Sequence, residues 1–195
     1  MAAGNSRRFG ENKLTTVFNG RSLIRYAFDA VSTDKLHRIC VVTQYDSIAS
    51  LAEQYGFLCI RNHHPEEGIS LSVKLGTTAL MDEADAIIYM VADQPNIRCE
   101  SIAGLIDLSL ENPGRIISAA HNGKRGNPCL FPKKYFPELL LLTGDTGGSS
   151  VIRSHPKDLL LYELDREELR DIDTKEDLDH CPHQSAAVVV KKADK

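Results

Sequence analysis

Three groups of residues in this chain have the types and spacing that chemistry on phosphate requires. The first is the stretch AAGNSRRFGENKL, Ala2 to Leu14, where small residues and glycines surround Arg7, Arg8 and Lys13 and no carboxylate comes before Glu11. Short side chains let backbone N–H groups approach an anion while the cations neutralise it, so a triphosphate is the expected guest. Gly4 and Gly10 stand six apart and no Gly-Lys-Ser/Thr follows. That spacing fits neither the dinucleotide fingerprint nor the Walker loop, which removes hydride transfer and P-loop ATPase chemistry.

Asp93 is the second feature. It closes the apolar run IIYMVA and stands before Gln94 and Pro95. A carboxylate there either caps its own turn or faces a cleft, where it suits Mg²⁺ shared with phosphate oxygens. Asp171 and Asp173, beyond a later strand, have the same two uses, as helix caps or as a second acid at the metal. The third group is made of loops. Gly68, Ser70 and Ser72 open a helix, so they either cap it or meet an anion or base edge. Gly126, Asn127 and Pro128 form either a plain turn or a backbone that approaches a flat ligand closely.

These positions gain meaning from the elements that carry them. Helical periodicity predicts helices over 21–32, 46–55, 69–80 and 99–110, and buried strands are expected over 36–43, 57–62, 85–92, 115–120 and 158–164. Segment 121–131 reads as a turn and a short strand covering the C-terminal edge of the sheet. Short helices are expected over 133–142 and 146–154, and DIDTKEDL reads as a helix start with Asp173 or Thr174 as N-cap. The sum is an α/β fold, a Rossmann-like doubly wound, mostly parallel sheet with a small antiparallel excursion. In such sheets ligands bind beyond the carboxyl ends of the strands, which is where the acids and loops above fall.

Residues 1–179 are expected to form one domain and 180–195 a flexible tail, with Ala186–Val190 a candidate edge strand. At 195 residues and 42% hydrophobic content the chain can build a full core. Its five cysteines include no Cys-x-x-Cys pair, which suits reduced thiols in a cytoplasmic protein. The apolar runs are too short for a membrane span, and a net charge of −4 argues against nucleic acid. His180, Cys181 and His183 have the chemistry of metal ligands but no distant partner pair.

Six motifs in order, AAGNSRRFGENKL, NHHPEEGISLS, ADQP, GNPCLF, FPELLLLTGDTGG and DIDTKEDL, resemble those of the molybdenum cofactor cytidylyltransferases. That group lies within the larger set of nucleotidyltransferases that includes the guanylyltransferases of the same pathway. The resemblance runs from Ala2 to about Asp179 and implies a nucleotide-diphospho-sugar-transferase-like fold. It implies that CTP and a molybdopterin-type cofactor are joined with release of pyrophosphate, and that a molybdenum hydroxylase receives the product. By the same resemblance, Ala2, Ala3, Gly4 and Ser6 contact the nucleotide, Arg7 and Lys13 its phosphates, and Gly68 and Ser70 lie nearby. Asp93 would hold Mg²⁺ with Asp171 or Asp173, while Gln94, Pro95, Gly126, Asn127 and Pro128 would lie near the second substrate. The alanine pair before Gly4 and the EGISLS segment favour CTP over GTP. A GTP-dependent or sugar-phosphate nucleotidyltransferase and a non-catalytic cofactor-binding chaperone are the alternatives. In that family a hydrophobic strand leads into the first loop; here either the start lies earlier or another segment, such as that around Val188, takes its place.

Overall fold

The computed structural model describes Ala2 and residues 12–179. A hairpin of β1 (Val17–Phe18) and β2 (Arg21–Ser22) leads into helix α1 (Leu23–Ala30). Strand β3 (Cys40–Thr43), helix α2 (Asp46–Gln54) and strand β4 (Leu58–Arg61) form a βαβ unit whose strands pair in parallel, Cys40 opposite Leu58. Helix α3 (Ile69–Leu80), strand β5 (Ala86–Tyr89), helix α4 (Cys99–Glu111) and strand β6 (Ile116–His121) follow. Then come β7 (Lys124–Pro132), α5 (Phe136–Leu140), α6 (Ser149–Ser154), β8 (Leu159–Glu163) and α7 (Lys175–Asp179). No helix among the described residues is long and apolar enough to cross a membrane.

The α/β class agrees with the sequence reading, and α3 spans the residues its 3.6 period predicts. Segment 121–131 differs. Instead of covering an edge, β7 runs for nine residues through the middle of a four-stranded sheet of order β5-β7-β6-β8. It is antiparallel to β5 and β6, whereas β6 and β8 are parallel. The glycines and Pro128 suggested an excursion covering the C-terminal edge; proline cannot donate to a ladder. Here Pro132 lies at the strand end opposite Ala86, and Pro128 lies beside the register shift between Ser118 and Ala120. The two prolines therefore sit where the ladder is ending or irregular.

Between the two sheets the hydrogen-bond ladder stops. Among the described residues β3 pairs only with β4 and β5 only with β7, apart from one parallel bridge of Ala2 to Thr43. A slot of about 530 Å³ separates the facing edges, with Val41 and Val42 on one side and Ile87 and Ile88 on the other. Ile24 and Phe28 of α1, Ile102 of α4 and Gly76 of α3 close it above and below. The gap lies where the resemblance expects a strand entering the first loop, and the segment around Val188 lies outside the described residues.

Gly76 gives a direct test of this packing. A Cβ there would sit 3.6 Å from Val42 Cγ2, an ordinary contact, in the interior of α3. Gly76→Ala is expected to stabilise the protein by about 1 kcal/mol through helix propensity, a Tm rise of roughly 2–4 °C at this size. A lower Tm would show that the slot has no room for the methyl.

Candidate active site

Lys13 opens a short 3₁₀ turn, Lys13–Thr15, that Asn12 caps by accepting from the Leu14 N–H at 3.2 Å. Leu14 is buried in the core, which anchors the turn and sends the lysine across the carboxyl end of β5. There its ammonium donates to Asp93 Oδ2 at 2.7 Å, to the Ile172 carbonyl at 2.9 Å and to Asp173 Oδ1 at 3.2 Å. Burial opposes the charge on Lys13, but hydrogen bonds and charge from Asp93 and then Asp173 outweigh it and hold its pKa above the ordinary value. Residues 80 and 160 positions apart in sequence thus meet at one point.

Two loops are laced together to make this meeting. The Ile172 N–H donates to the Asp93 carbonyl at 2.9 Å. Gln94 Nε2 donates to Asp171 Oδ1 at 2.9 Å and the Leu169 carbonyl at 3.2 Å, and Asn96 Nδ2 to the Glu167 carbonyl at 3.1 Å. Glu168, buried, takes Arg98 and the Ser101 hydroxyl. Beyond Asp173, the Asp177 carboxylate accepts from the N–H groups of Asp173 at 3.0 Å and Thr174 at 2.8 Å, while Thr174 Oγ1 accepts from the Asp177 N–H at 3.3 Å. This reciprocal cap gives Thr174 the N-cap role and fixes the backbone that carries Asp173.

On the other side of β5 the expected loop residues serve differently. The Ser70 N–H, read as available to a ligand, donates to the Gly144 carbonyl at 3.1 Å, and Ser72 Oγ accepts from Asn62. Gly68, with φ +85°, lies so close that a Cβ would come within 2.6 Å of the Gly144 carbonyl. Gly68 and Ser70 therefore brace the loop 144–148. The Ala2 N–H donates to the Val42 carbonyl and its carbonyl accepts from the Thr43 hydroxyl, both at 3.0 Å. It anchors the entry to the loop. Ala3, Gly4, Ser6, Arg7 and Arg8 lie outside the described residues, as do His180, Cys181 and His183.

The braced loop encloses a cavity of about 310 Å³ with a floor of Val73, Tyr89, Phe131 and Leu139. Its rim includes Asn127, Asp145, Thr146, Ser149 and Arg153. Tyr89 pairs with Cys129, so Asn127 lies level with the stretch just before Asp93. Of the other candidates, Gly126 uses its carbonyl to accept from Ser118 Oγ at 3.1 Å, and Pro95 and Pro128 are buried.

A MobA-like NTP transferase domain matches residues 1–159. The chain belongs to that family. Its relatives include the purine catabolism protein PucB of Bacillus subtilis (strain 168), 28% identical over 191 residues and 92% of each chain. A nucleotidyl transferase of Methanothermobacter thermautotroptrophicus superimposes with TM-score 0.78 at 19% identity, covering 92% of both chains. Rv0371c of Mycobacterium tuberculosis H37Rv, solved with manganese, gives TM-score 0.75 at 19% identity over 92% of this chain and 93% of its own. This member of the MobA-like family is thus a nucleotidyltransferase on the fold those structures share.

The donor set of the MobA-like domain fits a divalent cation. Asp93 Oδ1 is buried and has no hydrogen-bond partner among the described residues, and Asp93 and Asp173 already share one cation, the Lys13 ammonium. Among the described residues no three His, Cys, Asp or Glu group around one point. Two carboxylates with the remaining positions left to water and substrate phosphate is the arrangement Mg²⁺ favours.

Asp171 stands apart from that pair. Desolvation, and after it the charge of Asp93, hold its carboxyl above the ordinary 3.8. The folded protein therefore keeps this proton better than the unfolded chain does. Its stabilising contribution is complete below about pH 3.9 and is lost as pH rises through the raised value. Asp171→Asn is accordingly expected to raise Tm modestly at pH 7, with the gain vanishing near pH 3; thermal melts at the two pH values check it.

Sequence reading missed the residues that hold the acids in place. Asn96, Ser101 and Glu168 are buried polar side chains, and Thr146, Ser149, Ser150 and Arg153 line the cavity. A run of polar residues directly after a buried strand, as in DQPN, was the available signal.

Proposed function

We propose that this chain transfers a cytidylyl group from CTP to the terminal phosphate of a molybdopterin-type acceptor, releasing pyrophosphate. The observation that carries the reading is the convergence of Lys13, Asp93 and Asp173 at the end of a buried strand. Asp93 and Asp173 would hold Mg²⁺, which when bound neutralises charge between the reacting phosphates. The manganese in the mycobacterial relative supports a divalent ion of this kind. Arg7 and Lys13 would face the phosphates of the nucleotide.

The reaction needs no covalent intermediate. An acceptor phosphate oxygen forms a bond to the α-phosphorus as the bond from that phosphorus to the bridging oxygen breaks and pyrophosphate leaves. The chain's part is to align two anions, and orientation of this kind can supply about 7–11 kcal/mol of barrier reduction. The cavity beside Asn127 suits the acceptor, since Tyr89 and Phe131 offer aromatic surface and Asn127, Ser149 and Arg153 offer polar contacts.

Pyrophosphate release with molybdopterin and either CTP or GTP, with Mg²⁺, tests the reading. Faster release with CTP is expected. Preference for GTP would change the base, turnover only with sugar phosphates would change the acceptor, and ligand binding without pyrophosphate would make the protein a chaperone.

A further inference from the structure

Lys13 places a positive charge between the carboxylates of Asp93 and Asp173. The ammonium is mostly buried, its side chain 14% exposed, and three acceptors converge on it: two carboxylates and the Ile172 carbonyl. A divalent cation held by Asp93 and Asp173 would sit between the same two carboxylates, in the space that the lysine ammonium now fills. Two cations cannot share that space, because at such separations their repulsion is poorly screened. The lysine stem, with four rotatable carbons, can carry the ammonium away only if another anion receives it. Nucleotide phosphate is the anion that arrives with the metal.

We propose that Lys13 is an internal placeholder for the metal: it holds the two carboxylates in register while the site is empty of nucleotide and yields them when a metal–nucleotide complex enters. The site consequently takes its cation as part of that complex and discriminates against the free ion. Exposure increases from Asp93, 22%, to Asp173, 54%, so the exchange takes place at the open side, where incoming phosphate can reach the ammonium. The proposal rests on the nucleotidyl-transfer reading, but the empty site alone can test it.

Binding of Mn²⁺ without nucleotide, followed by the loss of the free-ion paramagnetic resonance signal, is the measurement. The wild-type protein should bind the ion weakly. Lys13→Met, which vacates the position, should bind it at least tenfold more tightly, whereas Lys13→Arg, which keeps a cation there, should stay within about twofold of wild type. Adding Asp173→Asn to Lys13→Met should abolish the gain. Lys13→Gln provides a second neutral variant if the methionine protein does not fold, as judged by circular dichroism. Mn²⁺ affinity in folded Lys13→Met or Lys13→Gln no higher than wild type would overturn the placeholder role. Failure to bind CTP with Mn²⁺ in the wild type would overturn the functional reading instead, so the two failures are separable.

Discussion

Asp93→Asn is expected to reduce pyrophosphate release by at least about a thousandfold while leaving the fold intact. Removing one preorganised electrostatic contact from a reacting site typically lowers turnover by about 10²–10³, and Asp93 contributes more than one. It offers Oδ1, buried and unpartnered among the described residues, and it accepts from Lys13 through Oδ2. The asparagine side chain keeps the shape and the backbone bond to Ile172, so circular dichroism and Tm should change little. Turnover within tenfold of wild type would remove Asp93 from the metal and phosphate chemistry altogether.

A second large effect is expected on stability. Gly68 has φ +85° and ψ −173°, a region essentially confined to glycine, and a Cβ would come within 2.6 Å of Gly144 backbone and 2.7 Å of Asp145 Oδ1. Strain costs about 1–3 kcal/mol and overpacking a similar amount. Gly68→Ala should therefore lose about 3 kcal/mol or more, which at this size lowers Tm by roughly 10 °C. Gly56→Ala is the control, because Gly56 also has a positive φ, +73°, but nothing lies within 4 Å of its added Cβ. Equal losses in the two variants would show that the Gly68 contact with the 144–148 loop carries no energy of its own. Because that loop rims the cavity, Gly68→Ala should also weaken acceptor binding more than nucleotide binding.

What the sequence made legible was local. The 3.6 period of ISLSVKLGTTAL placed α3, the apolar run before Asp93 placed a strand that ends at Tyr89 instead of Ala92, and DIDTKEDL marked the last helix start with Asp173 or Thr174 as its cap. Each of these signals lies within one turn or one strand. The convergence of Lys13 on Asp93 could be expected only from strand-end position, and the two side chains do meet. Other features depend on partners far away in the chain. Gln94, Asn96 and Arg98 find theirs 70 to 77 positions on, and no period or composition announces such pairs. Strand β7 was obscured for a related reason. Its glycines and Pro128 argue locally for an excursion over the sheet's edge, and only tertiary pairing on both sides overrides them. Gly68 and Ser70 also contact the Gly144 loop, a partner hidden by distance in the sequence.

Among the described residues the ladder is interrupted between β3 and β5, which makes those strands an internal gauge. Amides on edges that face a gap lack the shielding of a neighbouring strand, so their deuterium uptake reports whether anything lies beside them. Slow exchange along Cys40–Val42 and Ala86–Ile88 would mean that the centre of the molecule is continuous in solution; fast exchange would mean that helices α1, α3 and α4 alone bridge its two halves. The same readout, taken with and without nucleotide, would tell whether loading the site at the top of the strands tightens the seam beneath it.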